Sequence, residues 1–131
     1  MKKKTILIVE DDKVLLELYE IKIKNAGFLV QKASNGEEAL RLIKKKKPDL
    51  ILLDILMPKM DGFSFLKNLK GNLKILDIPI IILSNLAQEF EIQEGYRLSA
   101  VKYLVKANYT PEEVVEEIKK SLKNTYGYKK E

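Results

Sequence analysis

The feature that most constrains the fold of this chain is an unbroken apolar run, Leu50 to Leu53, that ends abruptly in Asp54. The run is too short and too continuous for an amphipathic helix. Continuous apolar runs are typical of parallel strands that are covered on both faces. We therefore predict a buried parallel strand with Asp54 at its carboxyl end, which is the end where open parallel sheets bind ligands.

Similar apolar runs recur along the chain and alternate with stretches of helical spacing. The runs predict five strands, at residues 6–9, 29–30, 50–53, 80–83 and 101–105. Helical spacing predicts a helix after each strand, and the fourth of these, marked only by Phe90 and Ile92, has the weakest pattern. The connections between parallel strands are right-handed crossovers. The expected fold class is therefore α/β, a three-layer, flavodoxin-like sandwich with a five-stranded parallel sheet and helices on both faces.

Size and composition limit both the architecture and the chemistry. The chain has 131 residues, 46% of them hydrophobic, which suits one compact domain over residues 1–131, with a core at 4–123 and a frayed tail at 124–131. It contains no cysteine and no histidine, which excludes disulfides, thiolate metal sites and the commonest general base. Any metal site must therefore use oxygen ligands, which favour magnesium, calcium or manganese.

Neither an export signal nor a membrane-spanning segment is visible in the sequence. The apolar stretch after the charged start is too short for a signal peptide, and no run approaches the roughly 18 apolar residues of a membrane helix. We expect a cytoplasmic protein without a membrane partner. The net charge of +5 comes from lysine clusters at residues 2–4, 44–47 and 129–130. Such short clusters usually face solvent, so we expect no direct nucleic-acid partner.

Chemically active side chains follow four of the five predicted strands. The carboxyl ends of parallel strands meet at one edge of the sheet, so these side chains should share one shallow pocket. Clustered carboxylates repel one another, and a hydrated magnesium ion suits a site with few protein oxygens. The residues are Glu10, Asp11 and Asp12 after the first strand, Asp54 after the third, Ser84 after the fourth and Lys106 after the fifth.

Each of these residues taken alone has a simpler interpretation. Asp12 directly precedes a helix and is expected to cap it. Ser84 could be a turn residue, Lys106 a solvated surface charge, and Glu10 and Asp11 loop carboxylates. Their coincidence at four strand ends favours a site for a metal ion and a phosphoryl oxyanion.

Several short motifs surround these strand ends. They are the pair Glu10-Asp11, Asp54 with Met57-Pro58 and Asp61-Gly62, Ser84, and the segment Tyr103-Leu104-Val105-Lys106. In these motifs and their spacing, residues 4–123 resemble the receiver domains of bacterial two-component response regulators, in particular single-domain receivers of the chemotaxis-regulator type.

The resemblance implies a phosphoacceptor and a magnesium site. Asp54 would take a phosphoryl group from a phosphohistidine of a sensor histidine kinase or phosphotransfer protein, or from a small acyl phosphate. Asp11 and Asp54 would bind Mg²⁺ directly, the backbone carbonyl of Leu56 would supply a third ligand, and Glu10 would act through water.

The remaining motif residues would support the transfer and its readout. Lys106 would neutralise the phosphoryl oxygens and Ser84 would donate a hydrogen bond to them, since phosphoryl transfer depends mainly on alignment and charge neutralisation. Movement of Ser84 would let Tyr103 rotate inward from a more exposed rotamer. The face of the fourth helix, fifth strand and fifth helix would then bind a downstream effector protein, the receiver being a monomer or weak homodimer.

Two departures from the family pattern lie beside the pocket. Ala107 stands where the family usually has a proline after a cis bond, and a cis bond costs about 3 kcal/mol before alanine but only about 1 kcal/mol before proline. We therefore predict a trans bond between Lys106 and Ala107. Asn85 follows Ser84 where a smaller residue is common, which predicts a narrower phosphoryl pocket.

Two leucines predict a long-lived phosphorylated state. Leu56 and Leu86 flank the expected path of an attacking water, and neither can orient that water by a hydrogen bond. We therefore expect slow self-dephosphorylation.

Other functions are compatible with parts of this pattern. About eight residues follow the last predicted helix, too few for an effector domain, so we expect a free-standing module, although a piece of a longer regulator would have the same sequence. A degenerate receiver that binds constitutively is disfavoured by the intact acids, hydroxyl and lysine. A phosphatase using Asp54 would need a second acid where Leu56 stands, so we expect no enzyme beyond self-directed phosphotransfer. Flavin binding is disfavoured by the acidic pocket.

Overall fold

The computed structural model describes residues 2–71 and 77–123. Within them the chain alternates five strands with five helices, and a short 3-10 helix, Lys106–Asn108, precedes the last helix. The tail predicted at residues 124–131 lies outside the described residues. The strands are β1 Thr5–Val9, β2 Leu29–Ala33, β3 Leu50–Leu53, β4 Ile80–Ser84 and β5 Lys102–Val105. The helices are α1 Lys13–Asn25, α2 Gly36–Lys45, α3 Gly62–Lys70, α4 Glu89–Arg97 and α5 Pro111–Leu122.

The strands form one parallel sheet in the order β2-β1-β3-β4-β5. Alternate side chains of a strand point to opposite faces of the sheet. Different helices cover these two faces. Ile6 and Ile8 of β1 pack in a cluster with residues of α1 and α5. Leu7 and Val9 pack in a second cluster with residues of α2 and α3. The predicted three-layer α/β sandwich is confirmed.

Element boundaries differ from the prediction where a strand lies at an edge. β2 was expected at residues 29–30 but extends to Ala33. The prediction was too short because Gln31 and Lys32 are polar and interrupt the apolar run. An edge strand can place polar residues toward solvent, so apolar continuity underestimates its length. The fifth strand begins at Lys102 rather than at Val101, which is exposed, and Ser84 belongs to β4 instead of following it. Phe90, one of the two apolar residues that marked α4 in the sequence, is exposed.

Two of the helices that start beside the carboxyl edge of the sheet, α1 and α3, are capped by acids. The side chain of Asp12 accepts hydrogen bonds from the backbone N–H groups of Val14 and Leu15, which confirms its predicted capping role. Asp61 accepts a hydrogen bond from the Ser64 N–H at the start of α3. In the described parts of the chain, every helix is too short or too polar to span a bilayer.

Candidate functional site

Two buried carboxylates lie at the carboxyl edge of the sheet because the strand ladder holds their backbones there. The Asp54 N–H donates to the carbonyl of Val9 at 2.9 Å, and the Glu10 N–H donates to the carbonyl of Ala33 at 3.0 Å. Glu10 is only 3% exposed and Asp54 only 6%. Ionised carboxylates are rarely buried without partners, so this pair requires positive charge nearby.

A third acid completes a candidate metal site. Glu10, Asp11 and Asp54 each offer one carboxylate oxygen, and the three oxygens lie within 4.8 Å of one another. Asp11 is exposed, so the cluster is open to solvent on its side. An all-oxygen donor set with an open side fits Mg²⁺, which binds through one or two carboxylates and keeps several waters. Ligation by the Leu56 carbonyl stays a prediction.

Lys106 follows the edge strand β5, and its side chain reaches both buried acids. It is the first residue of the 3-10 helix after β5, and its Nζ lies 2.7 Å from Glu10 Oε1 and 3.2 Å from Asp54 Oδ2. Its side chain is largely buried. The structure therefore brings Glu10, Asp11 and Asp54 together. Lys106 contacts Glu10 and Asp54 directly.

Burial and charge set the protonation of this cluster. Burial raises the pKa of Glu10 to about 7, and the charge of Asp54 adds to that effect, while the hydrogen bond from Lys106 opposes it. Burial by itself would lower the pKa of Lys106, but its hydrogen bonds and charge interactions with Glu10 and Asp54 outweigh burial and raise it. Lys106 therefore carries its charge at neutral pH, and Glu10 is near its midpoint.

Ser84 and Tyr103 are joined through the backbone of Leu86. Ser84 is fully buried, and its Oγ accepts a hydrogen bond from the Leu86 N–H at 3.1 Å. The Tyr103 hydroxyl donates to the Leu86 carbonyl at 2.7 Å. The bond to Leu86 uses only an oxygen lone pair, so the serine O–H can still donate, and its hydrogen bond to the Tyr103 hydroxyl acts to lower the pKa of that hydroxyl.

Tyr103 does not start from the exposed rotamer that we expected from the sequence. Its ring is only 8% exposed and packs under α4. A methyl group at Gly95 would lie 2.8 Å from the ring atom Cδ2 of Tyr103, so the absence of a side chain at Gly95 makes room for the ring. Burial also raises the pKa of the Tyr103 hydroxyl.

Comparison with known proteins agrees with this arrangement. The family model described as "Response regulator receiver domain" matches residues 6–119. The chain belongs to the response regulator receiver family. The match begins inside β1 and ends inside α5, so the residues of the acid cluster and Lys106 lie within the matched range.

Curated relatives and solved structures place this receiver among response regulators. It is 36% identical over 122 residues to the alkaline phosphatase synthesis transcriptional regulatory protein PhoP of Bacillus subtilis, covering 93% of this chain and 50% of that protein. It is 35% identical over 122 residues to the phosphate regulon transcriptional regulatory protein PhoB of Pseudomonas aeruginosa, covering 93% of this chain and 53% of that protein. The chain thus spans about half the length of these relatives.

Solved structures of receiver domains have the same fold as this chain. A CheY-like receiver domain protein from Methanospirillum hungatei has a TM-score of 0.88 at 26% identity, covering 97% of this chain and 99% of that one. The receiver domain of Francisella response regulator 1452 has a TM-score of 0.85 at 31% identity, covering 94% and 99%.

The receiver has one further contact beside Lys106 that the sequence did not suggest. Among the described residues no peptide bond is cis, so the Lys106–Ala107 bond is trans, as predicted. The Ala107 N–H, which a proline would lack, donates to Asn85 Oδ1 at 3.2 Å. Asn85 therefore links the loop after Ser84 to the turn that carries Lys106.

We expect Asn85→Ala to slow phosphorylation of the receiver by acetyl phosphate about threefold, because one hydrogen bond that orders the Lys106 turn is lost. The rate is measured in a double-mutant cycle with Ala107→Pro. Proline has no N–H to leave unpaired, so Asn85→Ala should have a smaller effect in that background. An equal effect in both backgrounds would mean that the bond is irrelevant.

Proposed function

We propose that this receiver accepts a phosphoryl group on Asp54 from a sensor histidine kinase or phosphotransfer protein and passes the signal to a protein partner. The observation that carries the proposal is the contact of Lys106 Nζ with Asp54, 3.2 Å away, inside a cluster that also holds Glu10 and Asp11. A buried carboxylate that lies beside a cation and two further acids suits phosphoryl transfer better than a structural ion pair does.

The transfer needs little covalent help from the protein. A carboxylate oxygen of Asp54 attacks phosphorus, the bond from phosphorus to the donor nitrogen or acetate oxygen breaks, and its electron pair leaves with the donor. Lys106 neutralises the charge on the phosphoryl oxygens, and the Ser84 hydroxyl donates a hydrogen bond to one of them. Mg²⁺, when bound by Glu10, Asp11 and Asp54, would neutralise charge on the same oxygens.

The signal would leave through the Leu86 backbone. A shift of Ser84 toward a phosphoryl group must change its bond to the Leu86 N–H, and Leu86 is also the acceptor of the Tyr103 hydroxyl. The affected face consists of α4, β5 and α5, where Phe90 and Tyr96 are exposed. This face is the proposed site for an effector protein. The cytoplasmic location and the state as a monomer or weak homodimer stay predictions.

The phosphodonor is proposed to dock on α1. Three apolar side chains of α1 face solvent in one stripe, with Val14 76%, Leu18 36% and Ile21 54% exposed. The helix begins next to the acid cluster, because Asp12 caps it. An apolar stripe at helical spacing suits a partner that presents helices.

The proposal is tested by incubating the full chain with acetyl phosphate, with and without Mg²⁺, and measuring its mass. We expect the addition of one phosphoryl group that requires Mg²⁺ and is released by hydroxylamine, which cleaves acyl phosphates. Peptide mapping should place the group on the peptide that contains Asp54. Modification of any other peptide, or none with Mg²⁺ present, would reject the proposal.

Magnesium binding should weaken as pH falls through the pKa of Glu10. Protonation of Glu10 removes one anionic oxygen from the cluster, so the apparent Mg²⁺ affinity is expected to fall about tenfold between pH 8 and pH 6. Isothermal titration at the two pH values measures it. Glu10→Gln should bind more weakly and with a smaller pH dependence, whereas a wild-type affinity that is equal at both pH values would contradict this role of Glu10.

Replacing two leucines should shorten the life of the phosphoryl group. Leu56 is 59% exposed and Leu86 is half-buried beside Ser84. Leu56→Asn with Leu86→Glu adds groups that can orient water, so loss of phosphate, followed by mass, should become about tenfold faster. Leu18→Asn on α1 is the control and should leave the rate unchanged. Equal lifetimes in both variants would argue against a role for water access.

A further inference from the structure

The two edges of the sheet differ in how their outward backbone groups are satisfied. At β5, the Tyr103 N–H donates to the hydroxyl of Tyr96 at 3.1 Å, so a side chain of α4 closes part of that edge. At β2, the described residues supply no such partner. An open strand edge can pair with another chain.

The register of β2 identifies its free groups. The Leu29 N–H donates to the Lys4 carbonyl at 2.9 Å, and the Ala33 carbonyl accepts from the Glu10 N–H at 3.0 Å. Backbone groups of alternate residues point to opposite sides of a strand. Val30 and Lys32 therefore direct their N–H and C=O groups to the open edge.

A lysine-lined groove lies beside this edge. Its volume is about 520 Å³, and Lys3, Lys24 and Lys46 line it around an apolar floor that includes Phe28 and Leu29. A second pocket of about 170 Å³ continues it and shares Lys3 and Lys46. That second pocket adds the lysines Lys2, Lys4 and Lys47 and one acid, Asp49.

Some of this charge is compensated and some is not. Lys24 pairs with Glu20 at 2.8 Å, and Lys47 pairs with Asp77 at 2.7 Å. Among the described residues, no ion pair holds Lys3 or Lys46. The groove is therefore positive on balance, at the end of the sheet opposite to the acid cluster.

The positive charge of the groove indicates which kind of partner the open edge of β2 can bind. A second copy pairing through its own β2 would bring the same lysines together, and this like-charge contact disfavours self-association. A nucleic acid would use the lysines but leave the backbone groups of Val30 and Lys32 unpaired. We propose that the open edge of β2 binds an extended acidic segment of a protein partner, which pairs with Val30 and Lys32 as a sixth strand while its carboxylates face the lysines.

The test uses the full chain labelled with ¹⁵N and three probes. They are a blocked peptide of alternating Glu and Val, its counterpart of alternating Lys and Val, and single-stranded oligothymidine of equal negative charge. We expect the acidic peptide alone to slow the hydrogen exchange of the Val30 and Lys32 amides. Binding of the lysine peptide, or protection of other amides only, would overturn the proposal.

Two pairs of variants separate strand pairing from simple charge attraction. Lys32→Pro removes the outward N–H, whereas Lys32→Gln removes the charge and keeps the N–H. The proline variant should bind the acidic peptide about fivefold more weakly than the glutamine variant. Lys3→Gln with Lys46→Gln should also weaken binding, and Lys119→Gln with Lys120→Gln on α5 should not.

If Lys32→Pro and Lys32→Gln bind equally, or if oligothymidine binds more tightly than the peptide, the groove is a general polyanion surface and the proposal fails. The amide shifts of residues around Asp54 report whether the proline variant is folded. The variant with Lys3→Gln and Lys46→Gln leaves the sequence of β2 unaltered, so it tests the charge without that risk.

Discussion

Asp54→Asn will abolish the incorporation of a phosphoryl group from acetyl phosphate. The amide nitrogen and oxygen of asparagine are poor nucleophiles, whereas the carboxylate of Asp54 lies beside Lys106 with its Oδ1 also fixed by the Ile55 N–H at 2.7 Å. The signal should fall to the background of the assay, a loss of about a thousandfold or more. Intact-mass measurement after incubation with Mg²⁺ and acetyl phosphate checks this.

Asp61→Asn is the matched control for this loss. Asp61 is a nearby acid, but its carboxylate caps α3 by accepting the Ser64 N–H at 2.8 Å. Asparagine caps helices as well as aspartate does, so this variant should fold and be phosphorylated like the wild type. A phosphoryl group that still appears in Asp54→Asn would move the acceptor to another residue.

The fold could be predicted because its signals are local. Each buried strand is a continuous apolar run, and alternation with helices leaves few ways to connect them. β2 is the exception, since Gln31 and Lys32 lie on an edge strand and carry no such signal. The meeting of Glu10, Asp54 and Lys106 could also be predicted, because parallel strands end at a common edge whatever their order.

What the sequence could not supply are contacts between side chains that are distant in the chain. The bond from Ala107 to Asn85 joins two loops whose separation depends on the packing of α4 and β5. The burial of Tyr103 depends on the space left by Gly95. The raised pKa of Glu10 reflects its burial depth, which no pattern of residue types specifies.

Gly62→Ala is expected to destabilise the receiver by about 3 kcal/mol, because the backbone has no room for the added methyl group. A Cβ at Gly62 would lie 2.5 Å from the carbonyl oxygen of Asp54 and 2.8 Å from the Cα of Ile55. The Gly62 N–H also donates to the Ile55 carbonyl at 2.8 Å, so the two segments cannot separate without losing that bond. The free energy of unfolding in urea measures the effect.

Gly71→Ala distinguishes this steric effect from the general cost of replacing glycine. Gly71 ends α3 with φ −78°, and among the described residues a Cβ there would meet only the Asn68 carbonyl oxygen at 3.5 Å, an ordinary contact. Its stability should change by less than about 0.5 kcal/mol. The collision at Gly62 also falls on the backbone of Asp54, so phosphorylation of Gly62→Ala should be slower even where the protein is folded. Equal unfolding free energies for the two variants would mean that the loop after β3 yields easily and does not fix the position of the acceptor carboxylate.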